Sequence, residues 1–305
     1  MEELEFRHKQ ARRVTFIGML INIILVFVKF IFGFFGKSQA LIADAVHSLS
    51  DFLSDIVILI SMRYTKKPAD DDHNYGHGKF ETLATVMIGL LLIIVGFSLL
   101  RENGLIIWNF LFKGATIQSP KFVALYGVFT SIILKEISFY MTIVVAKKTG
   151  NESLRANAWH HRSDSISSIA ALIGIGIALI FGESFAVFDP IASLVVSLFI
   201  MKVGLDIILP GVNQLVEASL SNDELEKIKK MTDSVDGVLN FHDLRTRKIG
   251  HYIAIDVHIM VDPDLSIEEA HNIATYLEFD YKHEFGRHTL VVIHIEPYFI
   301  DRSPI

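Results

Sequence analysis

The sequence predicts a polytopic α-helical membrane protein, with six transmembrane helices followed by a C-terminal cytoplasmic α+β domain of order αββαβ. Three observations carry that expectation. Hydrophobic residues make up 51% of the 305 and the mean hydropathy is +0.43; ordinary soluble chains hold about 45–50% apolar residues on a count that also includes Gly. Runs of about 18–25 largely apolar residues, long enough to cross a bilayer, recur along the first two thirds of the chain. After about Pro210 the pattern changes to short segments with helical or alternating periodicity. The expected boundaries are 1–209 for the membrane domain and 210–305 for the second.

Taken in order, a charged helical stretch from Glu2 to Arg13 leads straight into the first span, with no secretory signal ahead of it. The spans run over Val14–Phe35, Leu41–Tyr64, Thr82–Leu100, Phe122–Ala146, Ser153–Phe181 and Phe188–Leu209. An even number puts both termini on one side, and basic residues choose the side. Arg7, Lys9, Arg12, Arg13, Arg63, Lys66, Lys67, Lys79, Lys147, Lys148 and Arg155 lie at the N-terminus and in the loops after spans two and four. Lys37, Arg101, Lys113 and Lys121 lie opposite. Both termini are therefore expected in the cytoplasm, with the protein in the cell (inner or plasma) membrane.

In the second domain, Asn222–Ser234 reads as a polar-faced helix with Ser221 or Asn222 as its N-cap and acids in the first turn. Val238–Lys248 and His251–Val261 read as strands joined by a tight turn at Ile249–Gly250. Ser266–His283 reads as a helix and Thr289–Pro297 as the last strand. About 90 residues suffice for a small core. A three-stranded sheet leaves one face to cover, so a homodimer is expected.

The net charge is −6, and nothing points to nucleic-acid binding. With no cysteine, there are no disulfides, and a metal site must use His and carboxylates. Such residues stand where they are costly. A carboxylate at the centre of a span costs about 2.5–3.5 kcal/mol on insertion scales, so it faces a bundle interior or a water-filled cavity. Span two carries Asp44, His47, Asp51 and Asp55 at steps of three and four, one polar stripe on an apolar helix. A lone buried His is more often a hydrogen-bonded structural residue. Three carboxylates in line, however, repel unless something positive sits among them. His47 and Asp51 fall at membrane depth; Asp44 and Asp55 are expected nearer the membrane faces, hydrated, serving access paths or helix packing.

Span five repeats the four-residue spacing with His160 and Asp164, and Asn157 is one turn earlier on that face. His161 and Arg162 are expected to point elsewhere, into packing or towards lipid headgroups. The small residues from Ser163 to Gly176 allow close approach of a neighbouring helix. Two His–Asp pairs brought together would offer two imidazoles and two carboxylates to a divalent transition metal. Neutral imidazole binds metal and imidazolium does not, a physical route to metal/proton exchange near neutral pH.

The loop after span two holds Asp70, His73 and His77 beside Gly76 and Gly78. It reads equally well as a more exposed metal site or as a solvated charged loop. Seven of the thirteen histidines lie in the second domain. Strand alternation leaves His258 on the face opposite Ile253, Ile255, Val257, Ile259 and Val261, and puts His294 and Glu296 on one face. A cluster of His242, His258, His271, His294 and Glu296 is feasible. His251, His283 and His288 are expected at the surface, and the spacing of His283 and His288 is not that of a zinc protease.

These residues resemble a known family. "ADAVHSLSDFLSD", "ADDDHNYGHGKFE", "NAWHHRSDSISS", "FDPIASLVVSLFI" and "HDLRTRKIG" occur in an order similar to that of the cation diffusion facilitators of the bacterial zinc/iron efflux type. These are six-span metal/proton antiporters with a metallochaperone-like (ferredoxin-like) cytoplasmic domain. The resemblance implies a homodimer that exports Zn²⁺, or Fe²⁺, Cd²⁺ or Co²⁺, against protons by alternating access, with no organic cofactor and no enzymatic activity. By the same resemblance His47, Asp51, His160 and Asp164 form the transport site, Asp70, His73 and His77 the loop site, and His242, His258, His271, His294 and Glu296 a tail site at the dimer interface, where Zn²⁺ is structural or regulatory. Lys79 and Glu217 match a charge pair that is expected to lock the dimer. Iron/zinc exporters of the family carry Asp where this chain has His47 and Glu296; two nitrogens with two carboxylates favour tetrahedral Zn²⁺ over Mn²⁺. The alternatives are an Mn²⁺ or Fe²⁺ exporter of the same family, and a membrane metal sensor or scaffold.

Overall fold

A computed structural model describes residues 2–64, 69–149, 152–250 and 252–299. His251, Lys66 and Lys67 lie outside these residues, as do the side chains of Asp55, Arg63 and the basic residues up to Arg12. Six long helices come first: α1 (Glu2–Gly36), α2 (Gln39–Tyr64), α3 (Gly78–Lys113), α4 (Val123–Thr149), α5 (Glu152–Phe181) and α6 (Phe188–Leu215). Five of them are long and apolar enough to cross a membrane among the described residues, and α2 matches them in length. Large apolar side chains such as Phe16, Phe27, Phe97, Tyr126 and Phe129 are exposed, as a bundle bathed in lipid requires.

Two helices outrun the expected spans. The polar string Arg101–Gly104 does not end α3, because Leu105–Trp108 continue its apolar surface and Asn103 Nδ2 donates back to Leu99 O at 2.8 Å. Pro210 does not end α6 either; it sits inside the helix.

The chain divides into two compact units, Met1–Leu59 with Met87–Ile208, and Ile60–Val86 with Leu209–Ile305. In the first, α4 packs on both α1 and α5. Small residues set these approaches, since lipid-embedded helices associate by close van der Waals packing. A Cβ on Gly204 would stand 2.9 Å from Gly89 O, so α3 and α6 cross backbone to backbone. On α5, within the predicted small-residue run, a Cβ on Gly174 would stand 2.4 Å from Ala192 Cβ of α6. The start of α2 is held from outside itself: Asp189, at the head of α6, accepts from Ser38 Oγ at 2.6 Å and Gln39 N at 2.7 Å. An acid among a helix's first free N–H groups both caps it and opposes its dipole. That contact fixes where α2 presents the residues that follow.

In the second unit come α7 (Asn222–Ser234), β1 (Asn240–Ile249), β2 (Tyr252–Val261), α8 (Ile267–Phe285) and β3 (Leu290–Pro297), the predicted αββαβ order. Ser221 caps α7 and Ser266 caps α8, each in a reciprocal box with the Glu three residues on. Gly250 takes the positive φ of 63° that the tight turn needs. The sheet order is β1-β2-β3, antiparallel then parallel. Ile253, Ile255, Val257, Ile259 and Val261 all face a core completed by Ile228 of α7 and Ala274, Leu277 and Tyr281 of α8. Both helices therefore cover one sheet face and leave the other, with His258, open.

Candidate metal centres

In the first unit, α2 and α5 bring His47, Asp51 and Asp164 together, with one ligand atom from each lying within 4.8 Å of the others. His47 and Asp164 are buried, and Asp51 is nearly so. His47 Nδ1 and Asp51 Oδ2 are buried with no hydrogen-bond partner among the described residues. Buried polar atoms are rarely left so, and free lone pairs converging in one place are what a cation needs.

The expected fourth member, His160, does not join them. Its Nδ1 stands 3.7 Å from Asp164 Oδ1, but its side chain is 58% exposed. His161 is the buried neighbour, at 4%, with Nε2 3.5 Å from Asn157 Nδ2. Asn157 thus meets His161, where the spacing grouped it with His160. Residues three and four before Asp164 lie on nearly the same helical face, so spacing alone does not separate them. Arg162 pairs with Glu136 at 3.8 Å and stacks over Phe139 at 4.6 Å, a packing role.

Two lysines complete this region and were missed. Lys135 of α4, 1% exposed, places Nζ 2.8 Å from Asp164 Oδ2 and 3.9 Å from Asp51 Oδ2. Lys29 of α1 lies 2.7 Å from Asp44 Oδ2, with both side chains fully buried. The expectation for Asp44 is corrected accordingly. It is not hydrated at a membrane face but sealed: Lys29 also donates to Ser48 and Ser168, and Ser167 and Ser168 donate to Asp44, each at 2.7 Å. Asp44 and Asp51 on this stripe need positive charge, and it comes from other helices. "VFVKFIF" and "IILKEIS" each set one Lys in an apolar run; the cost of a charge in a membrane was the signal that could have flagged them.

In the second unit, Asp70, His73 and His77 come within metal-sharing distance. His73 Nδ1 and His77 Nε2 each lie 3.5 Å from one Asp70 oxygen, and the two rings are 4.5 Å apart. The loop folds on itself: His73 N donates to Asp70 Oδ1 at 2.8 Å, and Gly76, at φ 77°, turns the chain. His77 is buried and stacks on Phe80. Lys79 forms an ion pair with Glu217, which also takes Arg247 Nε at 3.0 Å. The expected pair is present within one chain.

On the open sheet face, register does the assembling. His242 pairs with His258 across the antiparallel ladder, and His258 with His294 across the parallel one. His242 Nε2 and His258 Nδ1 each lie 3.0 Å from Glu296, and His294 Nε2 lies 3.4 Å from it. The hydrogen bond from His242, then that from His258, hold the Glu296 carboxyl below the usual range. A bulge between His242 and Arg245, with Asp243 at φ 49°, interrupts the regular pairing beside the cluster. His271 is not part of it. It stands exposed on α8, the helix layer on the other face of the sheet, with Nε2 3.5 Å from Thr275 Oγ1. Within one chain the sheet separates His271 from the other four.

The chain is similar to known proteins along nearly its whole length. The family described as "Cation efflux transmembrane domain" matches residues 15–216, and "Cation efflux protein, cytoplasmic domain" matches 220–298. The manganese efflux system protein MneP of Bacillus subtilis is 34% identical over 297 residues, spanning 96% of this chain and 98% of that protein. Metal tolerance protein C1 of Arabidopsis thaliana is 35% identical over 306 residues, spanning 97% of this chain and 64% of the plant protein. Magnetosome protein MamB of Magnetospira sp. is 31% identical over 257 residues, 84% of this chain and 85% of that one. With both domains matched in order, and with histidine and carboxylates converging in the buried helices of the first, this multi-pass membrane protein belongs to the cation diffusion facilitator family of metal efflux transporters.

Proposed function

We propose that the protein is a divalent-metal/proton antiporter that exports Zn²⁺ from the cytoplasm by alternating access of a homodimer. The observation that carries this reading is the buried convergence of His47, Asp51 and Asp164 on two membrane helices. His160 completes the set by turning towards Asp164, from which it already stands only 3.7 Å. Imidazole loses metal when it gains a proton, so the same cluster exchanges one cargo for the other. The Asp70 loop site and the His242, His258, His294 and Glu296 site hold regulatory metal, with His271 supplied by the partner copy. The Lys79–Glu217 pair steadies the dimer. Both termini are cytoplasmic in this reading.

A second reading, Mn²⁺ as cargo, is favoured by two observations. One relative is named a manganese efflux protein. The residues already assembled are one nitrogen and two carboxylates, a harder donor set than two of each. Flux into proteoliposomes under a pH gradient, with Zn²⁺, Mn²⁺ and Fe²⁺ in competition, separates the two. Zn²⁺ uptake coupled to proton release supports the first; uptake of Mn²⁺ that excess Zn²⁺ leaves undiminished overturns it. A protein that binds metal and moves none is a sensor.

A further inference from the structure

Two buried lysines that the ligand count does not use, Lys29 of α1 and Lys135 of α4, meet carboxylates at two levels along α2. One level is closed. Lys29, Asp44, Ser48, Ser167 and Ser168 satisfy one another, and Ser131 Oγ adds a contact to Ser168 at 3.0 Å. The other is open. Among the described residues Lys135 makes one hydrogen bond, to Asp164, and faces Asp51 at 3.9 Å, while Asp51 Oδ2 and His47 Nδ1 have no hydrogen-bond partner there. We propose that Lys135 is the resident countercharge of the transport carboxylates and a competitor of the cargo, a positioning and specificity residue for efflux.

The argument is one of charge. Two carboxylates sharing a buried site cannot both remain ionised without a cation between them. The Lys135 ammonium supplies that cation, and it is tethered to α4, which packs on α5. A divalent ion that takes Asp164 competes with the ammonium for the same carboxylate. Loading therefore proceeds by exchange of one cation for another. Release is assisted, because the ammonium returns to Asp164 as the metal leaves. The tether also keeps the emptied carboxylates neutralised during the return step. Lys29 cannot play this part, since its three acceptors hold it in place.

The inference rests on the proposed transport site, and the test keeps the two apart. Full-length K135M, K135Q and K135R proteins are compared with wild type for Zn²⁺ and Mn²⁺ binding by calorimetry and for flux in proteoliposomes, with D51A and D164A alongside. Removing the competitor in K135M and K135Q tightens metal binding about tenfold and lowers KM, while Vmax falls because release and return lose their assistance. Arginine binds a carboxylate more firmly, as a bidentate fork, so K135R binds metal more weakly than wild type. Affinities in the order K135M, wild type, K135R carry the inference; a flat or reversed order overturns it, even with D51A and D164A inactive. Should K135M and K135Q fail to fold, K135R decides alone: unchanged or tighter binding overturns the idea. Normal flux by D51A and D164A is a different result, and it removes the transport site itself.

Discussion

The membrane cluster and the sheet-face cluster solve one problem in two solvents. On α2 and α5, two carboxylates and one histidine are shut away from water, and Lys135 from a third helix lies against both acids. On the open face of the sheet, three histidines surround a single Glu296, all part-exposed or exposed, and no lysine or arginine pairs with Glu296 among the described residues. Two unit charges 4 Å apart interact by about 4 kcal/mol at an effective dielectric near 20, and by about 1 kcal/mol in water. The buried acids of α2 and α5 therefore meet a built-in cation, whereas the wet Glu296 manages with imidazole hydrogen bonds. In the proposed mechanism the first site binds metal against a competitor and releases it readily, whereas the second, with none, suits a metal that stays.

The largest break in this comparison comes from removing the acid whose lysine cannot leave. Asp44→Ala strands Lys29 as a lone charge in a dry bundle, at a cost of about 3–5 kcal/mol. Thermal unfolding of the purified protein in detergent should show it, and a Lys29→Met/Asp44→Leu double variant should recover most of the loss, since apolar replacement of a whole buried pair is close to neutral. If Asp44→Ala unfolds at the wild-type temperature, the pair contributes nothing and water reaches it. Next comes Asp51→Ala, which removes a ligand but leaves Lys135 its hydrogen bond to Asp164. Flux should fall by about 100-fold at fixed subsaturating metal with stability nearly kept. His258→Ala, by contrast, should stay within about threefold of wild type at saturating metal. Equal losses in the two variants would erase the distinction between cargo site and resident site.

Much of this was legible along the chain, and what was not has a common cause. The polar stripe His47–Asp51 is a matter of spacing within one helix, and the open sheet face is a matter of alternation within one strand; both are local. Lys29 and Lys135 belong to α1 and α4, and which carboxylate each meets depends on how helices cross, which spacing does not encode. For the same reason Asp44 was expected in water. His160 and His161 are neighbours on one turn, and only the packing of α5 buries the second. Within one chain topology sets His271 apart: the crossover from β2 through α8 to β3 puts the helix on the apolar face, away from the other histidines. The ends of α3 and α6 were set too early because Arg101 and Pro210 read as breaks, although a long helix accommodates both.

The second domain's core offers a finer contrast with its own histidine face. Tyr281 is fully buried, with its hydroxyl 2.5 Å from Thr232 Oγ1, and burial pushes its phenol up to about 12. An unfolded phenol ionises near 10, so above that pH the unfolded state sheds a proton that the folded state keeps. Stability from this group is full below about pH 10 and declines as pH rises through 12, by on the order of 2 kcal/mol in all. An ultraviolet titration of tyrosinate should show a late step near pH 12 that Tyr281→Phe removes, and the variant should unfold less steeply with alkali. A late step that survives in Tyr281→Phe assigns it to another tyrosine.

The smallest effect probes the tail cluster itself. Glu296→Gln keeps the size of the side chain and an acceptor for one histidine, but it removes the charge that His242, His258 and His294 share. Losing one carboxylate from a site that retains three imidazoles should weaken metal binding about tenfold, the low end of ligand-shell effects. To read that site without the membrane cluster, the substitution is best made in an Asp51→Ala background and followed by calorimetry with Zn²⁺. Because no tethered cation has to be displaced here, the Lys135 variants should leave this affinity where it was. A Glu296→Gln protein that binds as tightly as its parent would place the metal on the histidines alone. A Lys135 variant that shifted the tail affinity would mean that the two centres are energetically linked, and they could then no longer be treated as separate answers to separate solvents.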